Sequence, residues 1–180
     1  MSRPAIVFIG FMGAGKSRSA ASVEGLAGRA QDIDDLIEQR VGMSVRELFD
    51  SRGESEFRSV EEEAASSLLG EADGGAIALG GGTVLSEPVR SALTRHTVVW
   101  LDVSAGTAWQ RVSESDRPLA QDRGRFDALL GERKPLYESL ADVVLPEGDP
   151  DMARRALPAI GALAGLPSGT KLLWAASASG

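Results

Sequence analysis

Short apolar runs alternate along the chain with longer segments in which apolar residues recur at helical spacing. Five runs have the length and composition of β-strands, at residues 5–9, 30–33, 76–79, 97–103 and 142–145. The run at 98–101 is continuously apolar instead of alternating, which is typical of a strand buried on both faces. The run at 30–33 is the least apolar of the five.

The segments between these runs predict helices at 16–27, 34–41, 45–51, 56–69, 87–94, 105–112, 125–140 and 151–164. Ser44 and Glu47 have the spacing of a capping box, in which each side chain accepts a hydrogen bond from the other residue's backbone N–H. Strands that alternate with helices predict an α/β fold. Its parallel sheet would be flanked by helices and joined by right-handed crossovers.

Two segments depart from this alternation. Residues 113–124 are polar and charged, which is typical of a mobile surface loop. From residue 166 a Leu-Pro-Ser-Gly stretch leads into an apolar segment and then a Ser-Ala-Ser-Gly end. That tail is compatible with an extra strand, a packed terminus or the start of another domain, and the sequence does not decide between them.

Composition narrows the class of protein. A length of 180 residues suits one domain, and a net charge of −7 argues against general binding to nucleic acid or membrane surfaces. The absence of cysteine excludes disulfides and thiolate metal sites. There is no signal-like start, and no apolar run approaches the roughly 18 residues of a membrane span. We therefore expect a soluble, cytoplasmic protein.

Residues 10–17, Gly-Phe-Met-Gly-Ala-Gly-Lys-Ser, match the phosphate-binding pattern G-x-x-x-x-G-K-[ST] at every position. They follow the first predicted strand and precede the first predicted helix, which is the context that the motif requires. Glycine allows backbone N–H groups to surround phosphate oxygens, and the helix directs its positive end at the same anion. Lys16 would reach the β- and γ-phosphates of a nucleotide, and Ser17 would ligate Mg²⁺.

Asp32 and Asp34 follow the second predicted strand, at the end of a parallel sheet where ligands bind. Beside Mg·ATP, one carboxylate would hold water on the metal and the other would orient or deprotonate an attacking hydroxyl. Alternatively, Asp34 only caps the following helix. The residues alone leave both readings open.

Arg58 also has two readings. Glu61 and Glu62 lie three and four residues further along the predicted helix, so Arg58 forms either a surface ion pair or a guanidinium presented to an anionic ligand. The stretch 61–63, Glu-Glu-Glu, is expected to be a solvated face. Three glycines at 80–82 follow the third predicted strand and would allow a small ligand to approach the backbone closely.

Read together, the motifs resemble the shikimate kinase family over residues 6–164. The matching marks are the loop at 10–17, Asp32-x-Asp34-x-x-Ile37-Glu38, Phe49, Gly53-Glu54-x-x-Phe57-Arg58-x-x-Glu61, Gly80-Gly81-Gly82, Arg117-Pro-Leu and Arg133-x-Pro-Leu-Tyr137. The resemblance implies a P-loop kinase fold with a five-stranded parallel sheet, a substrate-binding helical insert and a lid. It also implies transfer of the γ-phosphoryl group of ATP to the 3-hydroxyl of shikimate, with Mg²⁺ as cofactor.

The resemblance assigns a kinase domain to residues 1–165, with the insert at about 33–61 and the lid at about 113–124. It implies that Lys16, Asp34 and Arg117 are catalytic, and that Ser17 and, through water, Asp32 hold the metal. The implied ATP-binding residues are Gly13, Ala14, Gly15, Lys16, Ser17, Arg18, Arg111 and Arg117. The implied shikimate-binding residues are Asp34, Phe49, Phe57, Arg58, Gly80, Gly81, Gly82 and Arg133.

The sequence departs from the family pattern around the nucleotide base. Arg18 stands where the family commonly has Thr, and Arg111 is the nearest candidate for the arginine that stacks on adenine. Pro146 stands where the family often has Asp after the last strand. His96, the one histidine, precedes a strand and has no task in this chemistry, so we expect a structural turn residue.

Two other functions remain as alternatives. One is another small-molecule P-loop kinase, such as a gluconate or nucleoside monophosphate kinase, and the other is a nucleotide-binding module without turnover. The partners expected are ATP and shikimate, without nucleic acid or membrane. An isolated domain is expected to be monomeric. Residues 166–180 would be a tail or linker, compatible with fusion to another aromatic-pathway enzyme such as dehydroquinate synthase.

Overall fold

The computed structural model describes residues 3–113, 122–146, 150–163 and 172–173. Its strands form one parallel sheet in the order β2-β3-β1-β4-β5-β6. The strands are β1 (Ile6–Ile9), β2 (Ala30–Asp32), β3 (Ala76–Ala78), β4 (Thr97–Asp102), β5 (Val143–Pro146) and β6 (Leu172–Leu173). All five predicted strands are therefore confirmed, and within the tail two residues add a short sixth strand beside β5.

Helices connect and cover these strands. They are α1 (Lys16–Ser22), α2 (Ile33–Val41), α3 (Val45–Glu71), α4 (Glu87–Leu93), α5 (Ala105–Val112), α6 (Arg123–Leu140) and α7 (Pro150–Leu163), with a 3₁₀ turn at Thr83–Leu85. The capping box predicted before α3 is present, since Ser44 and Glu47 accept each other's backbone N–H. None of these helices is long and apolar enough to cross a membrane, within the residues described.

Three of the predicted helices differ from the structure. α1 ends at Ser22, because the chain then turns through Gly25 and Gly28, which have φ angles of 79° and 115°. The helices predicted at 45–51 and 56–69 join into α3, with a kink where Gly53 adopts φ 81° and ψ 171°. Glycine accepts this backbone conformation at little cost, so the chain changes direction there without leaving the helical element.

The core lies on both faces of the sheet. In β4 every residue from 98 to 101 is at most 5% exposed, which confirms that the continuous apolar run belongs to a central strand. The central strand β1 pairs with β3 on one side and with β4 on the other. Because the strands are parallel, the segments that follow β1, β2 and β3 all leave the same edge of the sheet. Those segments are the glycine-rich loop, the Asp32–Asp34 stretch and the Gly80–Gly82 turn.

His96 lies just before β4, and its ring forms hydrogen bonds with the residue that precedes β1 and with α3. Its Nδ1 accepts a hydrogen bond from the Ala5 N–H at 3.1 Å, and its Nε2 lies 3.0 Å from the Leu69 carbonyl oxygen. These partners assign the neutral ring with the proton on Nε2. The expectation of a structural residue agrees with this arrangement.

We expect His96 to remain neutral below its ordinary titration range, because burial lowers its pKa from 6.5. The unfolded chain then binds more protons than the folded one as the pH falls below about 6.5, so the free energy of unfolding decreases on acidification. Since this is the one histidine, NMR of its ring protons reports the midpoint directly. His96→Gln should flatten the pH dependence of urea unfolding between pH 7.5 and 5.5. A midpoint at or above 6.5 in the folded protein would refute the prediction.

Candidate functional site

The glycine-rich loop bends where only glycine is well tolerated. Gly10, Gly13 and Gly15 have φ angles of 139°, 79° and 87°, and Gly15 is the N-cap of α1. A Cβ atom on Gly13 would lie 2.7 Å from the Ala108 carbonyl oxygen of α5. The loop can therefore turn its backbone N–H groups toward an anion at the positive end of α1.

Two cationic side chains are held against this loop. The Lys16 Nζ donates to the Phe11 carbonyl oxygen at 3.0 Å, and the Arg111 guanidinium donates from α5 to the Gly13 carbonyl oxygen at 3.0 Å. Ser17 is exposed on the first turn of α1. An anion in the loop would thus meet one ammonium, one guanidinium and the helix N-terminus together.

A cavity of about 340 Å³, here called the loop cavity, opens beside these residues. Its lining consists of Gly13, Gly15, Lys16, Ser17, Asp32, Asp34, Leu79, Gly80, Gly81, Arg111 and Val112. Of the other residues assigned to ATP by sequence, Ala14 is buried and Arg18 is exposed on α1, and neither lines the cavity. Arg117 and most of the predicted lid lie outside the described residues.

A second cavity of about 350 Å³, here called the arginine cavity, lies next to the first. It contains all eight residues assigned to shikimate by sequence: Asp34, Phe49, Phe57, Arg58, Gly80, Gly81, Gly82 and Arg133. Five further residues that were not predicted from the sequence line this cavity: Met12, Glu38, Val45, Arg46 and Glu61. Helical periodicity alone does not show which side of α2 and α3 faces a cavity.

The two cavities share Asp34, Gly80 and Gly81. Asp34 lies in the first turn of α2, and its backbone N–H donates to the Asp32 Oδ1 at 2.9 Å. Asp32 is the N-cap of α2, so the alternative that Asp34 caps this helix is wrong. The Asp34 side chain instead contributes to both cavities at the boundary between them.

Arg58 is fixed by a buried carboxylate. Its Nη1 lies 2.6 Å from the Glu61 Oε2, and the Thr83 hydroxyl donates to the other Glu61 oxygen at 2.6 Å. Glu61 is only 3% exposed, so the prediction of a solvated face is wrong for this residue. Its charge can be buried because a guanidinium and a hydroxyl compensate it, whereas Glu62 and Glu63 are exposed.

The Gly80–Gly82 turn packs directly on this ion pair. A Cβ atom on Gly80 would lie 2.7 Å from the Thr83 hydroxyl oxygen, and one on Gly82 would lie 2.8 Å from the Arg58 Cζ. Any side chain here would displace the groups that orient Arg58. The three glycines therefore let the backbone of the turn pack against the Arg58 guanidinium, and they also leave room for a ligand.

Arg133 reaches the same cavity from α6. It is buried, with its guanidinium 5.8 Å from the centre of the Phe11 ring in the glycine-rich loop. Phe11 in turn packs edge-on against Phe126 at 5.0 Å, and Phe126 packs against Trp109 of α5 at 5.2 Å. An aromatic chain thus connects the loop to both helices that flank the segment 113–124.

Tyr137 connects α6 to the glycine turn. Its hydroxyl donates to the Gly81 carbonyl oxygen at 2.5 Å, and its ring stacks on Trp100 with 6.4 Å between centroids. In the sequence Tyr137 belongs to the motif Arg133-x-Pro-Leu-Tyr137, which predicts no role for it. This hydrogen bond fixes the peptide group between Gly81 and Gly82. Tyr137 itself lies one helical turn after Arg133 on α6.

Burial raises the pKa of Tyr137 to about 12. An unfolded tyrosine ionises near 10, so between about pH 10 and 12 the folded state binds the extra proton and the free energy of unfolding falls as the pH rises. Tyr137 is the one tyrosine in the chain, so tyrosinate absorbance at 295 nm measures it without interference. We expect a midpoint near 10 in guanidinium and no ionisation at pH 10.5 while circular dichroism still reports a folded protein. Ionisation near 10 in folded protein would contradict the hydrogen-bonded geometry.

The described residues contain no group of three or more histidine, aspartate or glutamate side chains that could hold a metal ion unaided. Mg²⁺ usually takes one or two protein ligands and completes its shell with substrate phosphates and water. Ser17 and Asp32 both line the loop cavity, which fits that mode of binding.

Comparison with known proteins identifies the family. The model of the shikimate kinase family matches residues 12–160. A shikimate kinase of Thermobifida fusca is 39% identical over 170 residues, which cover 89% of this chain and 98% of that protein. The structure of Acinetobacter baumannii shikimate kinase in complex with shikimate has a TM-score of 0.79 and 29% identity, covering 89% of this chain and 94% of that one.

A more distant likeness concerns the fold alone. A deoxyadenosine kinase of M. mycoides has a TM-score of 0.56 and 14% identity, over 87% of this chain and 99% of the other. The wider P-loop kinase architecture is therefore shared beyond the family. The family model, the sequence identity and the structural match together show that the chain belongs to the shikimate kinase family.

Proposed function

We propose that this protein transfers the γ-phosphoryl group of ATP to the 3-hydroxyl of shikimate, giving shikimate 3-phosphate and ADP. The observation that carries the proposal is the meeting of two cavities at Asp34, Gly80 and Gly81. One cavity is lined by the phosphate-binding loop, and the lining of the other includes Arg58 and Arg133. A phosphoryl donor and a carboxylate-bearing acceptor held in them would face each other across Asp34.

In this proposal the nucleotide phosphates lie in the loop at 10–17, next to Lys16. Ser17 and, through water, Asp32 would hold Mg²⁺, which neutralises charge on the phosphates when it is bound. Arg111 would contribute to ATP binding from α5. Arg117, which lies outside the described residues, would add positive charge from the lid.

The acceptor would be held by groups that match its chemistry. Arg58 and Arg133 would bind the shikimate carboxylate, since guanidinium groups form paired hydrogen bonds to a carboxylate. The backbone of the Gly80–Gly82 turn would contact the ring hydroxyls, and Phe49 and Phe57 would form a wall. These two rings already pack edge-on at 5.8 Å.

Asp34 would orient the attacking hydroxyl and accept its proton. Phosphoryl transfer passes through a loose transition state, so catalysis depends on alignment and on neutralising charge. Lys16 would stabilise the charge that develops on the transferred group. A closed lid would exclude water and so limit hydrolysis of ATP.

A coupled ADP-release assay with an acceptor panel tests this proposal. We expect ATP- and Mg²⁺-dependent turnover with shikimate, and less than about 1% of that rate with gluconate or AMP, because an arginine pair and a hydroxyl-binding turn fit a hydroxylated carboxylic acid ring. Turnover with gluconate or AMP in preference to shikimate would overturn the proposal. The absence of any acceptor-dependent turnover in folded protein would favour a binding module instead.

A further inference from the structure

Arg46 is a third arginine in the lining of the arginine cavity. It lies in the first turn of α3, and its side chain is 50% exposed. The Arg58 side chain is 30% exposed and Arg133 is buried, so Arg46 is the most exposed of the three arginines. Arg46 is therefore at the rim of the cavity, where an incoming ligand is still hydrated.

Arg46 makes one of its contacts, an ion pair with Asp50, on the exposed surface of α3. Its Nε lies 3.5 Å from the Asp50 Oδ2, one turn further along α3, and the Asp50 side chain is 57% exposed. Exposed pairs of this kind contribute little to stability, because water screens both charges. An anion at the cavity mouth can compete with Asp50 for the guanidinium at little cost.

Arg46 is needed to keep the lining of the arginine cavity electrically neutral. Three carboxylates line the cavity, Asp34, Glu38 and Glu61, and three arginines oppose them. Removing Arg46 would leave the lining with a formal charge of −1, within a chain whose net charge is −7. The lining would then repel an anionic acceptor. The repulsion would act once the acceptor is within the Debye length of the lining, about 8–10 Å at physiological salt.

The Arg58 guanidinium cannot fully replace the missing charge. It is already bound to Glu61 at 2.6 Å and lies 3.6 Å from Glu54. Glu38 accepts the Val45 N–H at 3.0 Å, which holds its carboxylate beside the residue that precedes Arg46. Arg46 thus contributes a positive charge to the same cavity lining as Glu38.

We propose that Arg46 is an acceptor-binding residue that captures the anionic acceptor at the mouth of the cavity and raises the rate of its association. This inference rests on the proposed function, because it concerns the carboxylate of the same acceptor. Arg46 takes no part in phosphoryl transfer. It therefore affects kcat/KM for the acceptor and leaves kcat and the KM for ATP unchanged.

Arg52 provides a matched control on the same helix. Its side chain is 47% exposed and makes an i,i+4 pair with Glu56 at 4.0 Å, but Arg52 does not line the cavity. Replacing either arginine removes one positive charge and an exposed i,i+4 ion pair from α3. Only Arg46 changes the charge of the cavity lining.

The test compares Arg46→Gln, Arg46→Lys and Arg52→Gln in shikimate-dependent turnover at 20 mM and 500 mM KCl. Because steering by local charge changes association rates at least severalfold, we expect Arg46→Gln to lower kcat/KM for shikimate about 3- to 10-fold at low salt and less than about twofold at high salt. Arg46→Lys should keep most of the activity, and Arg52→Gln should resemble the wild type.

Three results would overturn the inference: equal effects of the two glutamine variants, a loss carried by kcat, or a loss independent of salt. Wild-type protein without shikimate turnover would instead refute the proposed function on which the inference rests. The two failures are thus distinguishable in one set of assays. Thermal unfolding of each variant controls for loss of folded protein.

Discussion

Asp34→Asn is expected to lower kcat for shikimate phosphorylation about 10²- to 10⁴-fold, the range contributed by a general base. The amide keeps the size of the side chain at the boundary of the two cavities but removes the carboxylate that would take the proton from the attacking hydroxyl. The N-cap of α2 is untouched, since Asp32 provides it. ATP affinity should remain within about threefold of the wild type, because ATP would be held chiefly by the loop and Lys16.

Asp35→Asn is the matched control for this change. Asp35 lies next to Asp34 in the first turn of α2, is exposed, and lines neither the loop cavity nor the arginine cavity. Single-turnover phosphoryl transfer and equilibrium ATP binding separate the chemical step from binding. Unchanged turnover in Asp34→Asn, or an equal loss in Asp35→Asn, would remove Asp34 from the mechanism.

Arg58→Ala should weaken shikimate binding by about 2–4 kcal/mol, which corresponds to roughly 30- to 1000-fold in Kd. The variant removes one of the two guanidinium groups proposed to bind the carboxylate. Within the described part of the chain, it also leaves the buried Glu61 carboxylate with Thr83 as its one side-chain hydrogen-bond partner, so the fold should lose stability as well.

The double variant Arg58→Ala/Glu61→Gln separates these two effects. Neutralising residue 61 should restore most of the lost stability, because no uncompensated charge remains buried, but shikimate affinity should stay low. Arg52→Ala on the same helix controls for loss of a surface arginine. Calorimetric titration with shikimate and with ATP gives the affinities. A fall in ATP affinity with unchanged shikimate affinity would show that Arg58 has been assigned to the wrong substrate.

The position of the glycine-rich loop and of the strand ends could be predicted, because both follow from short sequence motifs and from the geometry of a parallel sheet. The motif at 10–17 needs glycine where φ is positive, and parallel strands bring their carboxyl ends to one edge, so Asp34 and Gly80–Gly82 were expected near the loop. The eight residues assigned to shikimate do line one cavity. Their roles in binding remain predictions for the variants above.

The features that sequence did not predict depend on contacts between distant segments. Glu61 has the spacing of a surface residue, and its burial depends on Thr83, from the turn after β3, as well as on the nearby Arg58. Tyr137 meets the carbonyl of Gly81 across 56 residues of sequence. Likewise, Asp32 and Asp34 are equivalent as caps in the sequence, and the backbone entering α2 decides between them.

The most direct test of the central claim is the identity of the phosphorylated product. We would incubate the protein with ATP, Mg²⁺ and shikimate and record two-dimensional ¹H–³¹P NMR spectra of the mixture. The account predicts one new phosphomonoester signal coupled to the proton on C3 of shikimate, in equal amount to the ADP formed. ATP consumed with shikimate left unphosphorylated, or a phosphate on a different hydroxyl, would contradict it.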